Sequence, residues 1–130
     1  MCDVAPLTEK AIRLLREPSF GFLAVDDHGP HVSPIWVDTD GTDILINTAV
    51  GRVKERAMMK GARVALSVSP PGEPYQHVDI RGRVARRVEG PEADGHIRAL
   101  GRKYNGEDYA FTIRPGERRV KIWIQPTVVA

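Results

Sequence analysis

The stretch from Gln76 to Val88 reads as one long strand with Gly82 in its middle. Glycine pairs poorly in a ladder but bends easily, so a bulge or sharp coil is predicted there, and long bent strands are what small barrels use. The rest of the chain agrees. Arg63 to Val68 alternates Val64, Leu66 and Val68 against Arg63, Ala65 and Ser67, as a strand does. Phe20 to Val25 and His31 to Asp38 read as two strands joined through Asp26, Asp27, His28, Gly29 and Pro30, and a third, with Ile44, Leu45 and Ile46, follows Asp40 and Gly41. Val120 to Val129 is a last strand with Ile122 and Ile124 on one side. Thr8 caps an opening helix, Leu7 is placed to staple against Ile12, Ala11, Ile12 and Leu15 form its apolar face, and Pro18 ends it. Gly90 and Pro91 open a second helix, which runs through Tyr104 and is weakened by Gly95 and Gly101. Strands and helices do not alternate regularly. The predicted class is therefore mainly β (α+β), an antiparallel barrel or sheet with short helices at its ends, and not a doubly wound parallel sheet.

A chain of 130 residues is expected to form one domain, residues 1–130, with modest burial for an extended ligand site, so a second chain could supply a missing wall. A net charge of +2 with 28% charged residues gives no strongly basic field, which argues against nucleic acid. Cys2 is the only cysteine; it excludes an internal disulfide or a cysteine metal cluster and suits a reducing cytoplasm. No leader pattern opens the chain and no apolar run approaches the roughly 20 residues of a membrane helix, so a soluble, cytoplasmic protein is expected.

Chemistry concentrates between Asn47 and Met59, where a strand ends and a helix is predicted from Arg52 to Lys60. Thr48 is placed as its cap, Val53, Ala57 and Met58 as its apolar side, and Gly61 as its stop. Arg52, Lys54 and Arg56 put cations in the first turn, where the helix dipole already disfavours them by about 0.3 to 1 kcal/mol each unless an anion is bound. Free N–H groups beside Lys and Arg are what a phosphate needs. The competing reading is a short surface helix whose solvated cations are partly balanced by Glu55. The loop lacks P-loop spacing, and no Gly-rich dinucleotide fingerprint follows any strand.

Pro34 removes a ladder donor and predicts an edge or bulged strand. Trp36 shares its face, either as a core residue or as a flat ring offered to a ligand. His28 and His31 have a tolerable metal spacing, but no cysteine or carboxylate cluster completes a shell, so no metal site is expected. No nucleophile elbow or Ser, His, Asp set is present, and no catalytic side chain is assigned.

The residues Gly29 to Trp36, Asn47 and Thr48 with Gly51 to Arg56, Arg63 to Leu66, and Gly82 resemble the pyridoxamine 5′-phosphate oxidase-like split β-barrel proteins, and within them the coenzyme F420-dependent flavin/deazaflavin oxidoreductases of type B. The resemblance covers nearly the whole chain, and its specific part is the Gly-Arg-x-Lys-x-Arg element. It implies a split antiparallel β-barrel in which Arg52 and Lys54 hold the cofactor phosphate near Asn47 and Gly51, with Thr48 and Arg56 in support. The ring would lie along the edge from Pro34 to Trp36. It also implies a homodimer with sites between protomers, where Tyr75 and His77 are candidates to reach the partner's site. Ala57 stands where many relatives have asparagine, and His31 falls where relatives vary. The C-terminal Arg and His pattern of true pyridoxal-vitamer oxidases is absent. The implied function is hydride transfer from reduced F420 to a conjugated small molecule of quinone, enone or tetrapyrrole type. FMN is the alternative cofactor, and a non-enzymatic cofactor-binding or storage protein the alternative role; a haem-binding member is more remote. For such an enzyme the lack of catalytic side chains is expected, because the cofactor carries the hydride.

Overall fold

The computed structural model describes residues 4–130; Cys2 lies outside them. Helix α1 (Glu9–Arg16) is followed by strands β1 (Phe20–Asp26), β2 (Pro30–Ile35), β3 (Asp38–Thr39) and β4 (Ile44–Ala49). The single turn α2 (Val53–Arg56), β5 (Arg63–Ser69), β6 (Val78–Glu89), α3 (Pro91–Asn105) and β7 (Arg119–Val129) complete the chain. All seven strands belong to one antiparallel sheet in the order β2-β1-β5-β6-β7-β4-β3.

That order explains the shape. β2 and β3 are the two edges of the sheet, yet only Trp36 and Val37 separate them in sequence. Three Cα steps reach about 11 Å, so the sheet must curl until its edges nearly meet. The result is a barrel split between β2 and β3, with Trp36 and Val37 bridging the split. Gly21 is needed beside the bridge, because a Cβ there would meet Val37 Cγ1 at 2.7 Å and the Ile35 carbonyl at 2.8 Å.

Leu23, Ile44, Ile46, Leu66, Ile80, Ile122 and Ile124 fill the barrel, and α1 plugs it with Ala11, Leu14 and Leu15. Burying each large side chain is worth about 1.5 to 3 kcal/mol. The Thr8 hydroxyl accepts from Ala11 N at 3.1 Å, the expected cap, and the helix stops at Glu17, which the following proline keeps extended. The bend in β6 falls at Gly82 as expected: the register shifts between Arg81 and Gly82, and a Cβ would lie 2.6 Å from the Gln125 carbonyl oxygen. Pro34 lies on the edge strand β2. Among the described residues, no helix is long and apolar enough to cross a membrane.

Two expectations fail locally. β2 ends at Ile35 and does not continue to Asp38, because the chain there leaves one edge for the other. The helix from Arg52 to Lys60 is one turn, Val53–Arg56, with Arg52 and not Thr48 at its N-cap. Thr48 lies in β4 and is fully buried, its hydroxyl without a hydrogen-bond partner among the described residues. Past Arg56 the chain leaves the helix, and Arg87 of β6 caps the carbonyls there: Nη1 donates to Glu55 O at 3.2 Å and to Met58 O at 2.7 Å. Gly61, read as the helix stop, has its N–H on Val84 O at 2.7 Å and turns the chain into β5.

Candidate functional site

At the split, the start of β1, the Trp36 bridge, α3 and the end of β4 enclose a cavity of about 430 Å³. One wall is aromatic. Trp36 stacks on Tyr104 with centroids 5.3 Å apart and meets Phe111 edge-on at 6.2 Å. Phe20 and Phe22 form the rim and are 55% and 47% exposed. Tyr104 is fixed at both ends of its hydroxyl, which donates to Ser19 O at 2.8 Å and accepts from Val37 N at 3.0 Å. Burial pushes its pKa up to about 12, with the Asp38 charge adding to the rise.

The opposite end is cationic. Arg52, Lys54 and Arg119 all line it. Among the described residues, Lys54 Nζ finds only neutral partners, donating to Pro34 O at 3.2 Å and Ser33 Oγ at 3.3 Å. Burial lowers its pKa, and repulsion from Arg52 and Arg119 lowers it further, so the three charges act on one another. Arg119 is buried, with Nη1 donating to Glu117 at 2.9 Å, Nε donating to Asn47 Oδ1 at 3.0 Å, and the guanidinium 5.2 Å from the Phe111 ring. Beyond Arg52 a second cavity of about 320 Å³ continues past Tyr109 and Arg114.

The reason given by sequence for cations here needs correction. A helix of one turn carries little dipole, so Arg52 and Lys54 are not opposed by it. What opposes Lys54 is its burial together with repulsion from Arg119 and from the exposed Arg52. Nor does Glu55 balance them at the surface: it is buried, accepts from Gly51 N at 2.8 Å and pairs with Arg87 at 2.6 Å.

Of the residues singled out by sequence, Pro34, Trp36, Asn47, Arg52 and Lys54 line the cavity together. Gly51 holds the turn before α2 at φ 96°. Arg56 is exposed and Thr48 is fully buried, and neither lines the cavity. Tyr75, 92% exposed, and His77, paired with Asp79 at 2.8 Å, both lie in the β5–β6 loop and do not reach the cavity of their own chain. Sequence reasoning missed Arg119, Tyr104 and Phe111. Tyr104 follows Ile97 and Leu100 on the packed face of α3, a periodicity that marks it; Arg119 enters only through the pairing of β4 with β7.

A family model described as pyridoxamine 5′-phosphate oxidase matches residues 7–130. The solved structure of a protein described as an F420 reductase is 29% identical, with 95% of this chain and 98% of that one covered and a TM-score of 0.77. General stress protein 26 from Bacillus anthracis str. Sterne is 16% identical over 93% and 89% with a TM-score of 0.66. The FAD binding protein from Mycobacterium smegmatis is 19% identical over 96% and 94% with a TM-score of 0.60. The last two speak for the fold alone. No curated protein matches the chain.

Proposed function

This chain belongs to the pyridoxamine 5′-phosphate oxidase family, and from that premise we propose that it is an oxidoreductase using coenzyme F420, with reduced F420 as hydride donor to a conjugated small molecule such as a quinone, enone or tetrapyrrole. The observation that carries this reading is the division of one cavity into a three-cation end and an aromatic wall. A phosphorylated deazaflavin has the same two parts. Likeness to an F420 reductase at 29% identity supports the choice of cofactor.

The residues fit such a group. Lys54 and Arg52 lack carboxylate partners among the described residues, and a phosphate would supply one. Charge-assisted hydrogen bonds of that kind are worth about 1.5 to 3 kcal/mol each. The stacked Trp36 and Tyr104 rings would hold a flat ring and keep water from one side of it. When bound, the deazaflavin supplies the hydride. Tyr104 is not a proton donor in this reading, because both functions of its hydroxyl are taken by backbone and its pKa lies near 12. Its role is to hold Trp36.

Phe20 and Phe22 leave the rim open, Val32 on the edge strand β2 is 66% exposed, and we place a second copy of the chain there, in a homodimer. Tyr75 and His77, remote from the cavity of their own chain, would face the partner's site. A small, mixed-charge chain of this kind fits a cytoplasmic location.

Side-by-side titration of the purified protein with F420 and FMN tests the cofactor. Tighter F420 binding is expected; tighter FMN binding overturns the choice in favour of a flavin enzyme of the same fold. Reoxidation of reduced F420 by quinones, enones and tetrapyrroles is then expected with at least one class, and no turnover across the panel would favour a storage protein.

A further inference from the structure

Behind the cationic end runs a buried polar chain, His96 to Asn47 to Arg119, of which Asn47 and Arg119 line the cavity and His96 does not. Asn47 lies at its centre. Its Nδ2 donates to Ala93 O at 2.9 Å and its Oδ1 accepts from Arg119 Nε at 3.0 Å. A carbonyl can only accept and a guanidinium only donate, so these two bonds fix the orientation of the amide. The second N–H of Asn47 then points at His96 Nδ1, 3.2 Å away. His96 Nδ1 must therefore be the acceptor, and the ring proton sits on Nε2. That nitrogen is buried, has no hydrogen-bond partner among the described residues, and faces Asp38 Oδ2 at 3.6 Å, too far for a full hydrogen bond but close enough to favour the tautomer electrostatically.

We propose that His96 and Asn47 are positioning residues for Arg119: neutral His96 accepts the second N–H of the Asn47 amide and so supports the one orientation that aims the Arg119 guanidinium into the cavity. Protonation of His96 turns Nδ1 into a donor facing another donor. The amide must then flip or withdraw, and either movement breaks its bond to Arg119. The charged groups around the ring act from every side: Asp38 on β3, Lys103 on α3 at 3.9 Å from Asp38, and Arg119 with Glu117 beyond Asn47. Anion binding at this end is thereby coupled to the protonation of a residue that never meets the ligand. The inference rests on the reading of this end as the phosphate end.

The test is ¹⁵N NMR of the unliganded protein as pH is lowered, with the His96 ring signal and the Arg119 Nε–H followed together. Sulfate, whose charge is constant over this range, is titrated in parallel. In the wild type the Arg119 Nε–H signal is expected to be slow in exchange while His96 is neutral and to be lost as the ring protonates, with sulfate affinity falling about tenfold. In His96→Leu the signal should no longer depend on pH in this range. In Asn47→Leu it should be absent throughout. An Nε–H signal indifferent to His96 protonation, or retained in Asn47→Leu, overturns the relay. Should His96→Leu fail to fold, the wild-type titration decides by itself. Wild type that behaves as expected but binds no F420 leaves the relay standing and removes the cofactor reading.

Discussion

Tyr104 illustrates how one residue serves fold and site together. Its hydroxyl closes the bridge between the sheet edges while its ring backs Trp36. A group held protonated by the fold contributes stability that is complete below its unfolded pKa, near 10, and is lost as pH rises through its folded pKa of about 12. Stability is therefore expected to fall between pH 10 and 12, and a tyrosine titrating near 12 should disappear from the ultraviolet absorbance titration in Tyr104→Phe. If all tyrosines of the wild type ionise near 10, the hydroxyl is not held in this way. Arg52 and Lys54 were legible in the sequence because three cations in five residues are unusual beside a strand end. The physical reason attached to them was not legible, since it depends on Arg119, more than sixty positions away and brought beside them by the register of β4 on β7.

Among the elements, α2 departs furthest from its sequence pattern. Val53, Ala57 and Met58 have helical spacing, but the pattern contains no sign that Arg87 will take the Glu55 and Met58 carbonyls. The burial of Glu55 follows from the same guanidinium. Arg87→Met is expected to cost about 1 to 3 kcal/mol in denaturant unfolding, because it leaves a buried carboxylate without its cation, and to weaken F420 binding by loosening Arg52 and Lys54. Unchanged stability would mean that the Arg87 clamp does not hold the buried Glu55 and this turn in place. The strands were easier to read. Period-two burial in β5 and the glycine in β6 are local signals, whereas the break after Ile35 is set by sheet closure, which no local window contains.

For the whole molecule, the split barrel leaves an aromatic rim open at Phe20 and Phe22 beside the edge strand. Sedimentation at micromolar concentration is expected to give a dimer; a monomer that binds cofactor tightly would contradict a site completed by a second copy. The central claim, that the three-cation end of the cavity holds a phosphate, is tested most directly by titrating wild type and Lys54→Ala with F420, alongside melting of both unliganded forms. Lys54 has no carboxylate partner among the described residues and is repelled by its neighbours, so the unliganded melting curves should nearly coincide. The dissociation constant should rise about 10-fold to 100-fold in the variant. An equal dissociation constant in the two proteins, or no F420 binding by the wild type, would contradict it.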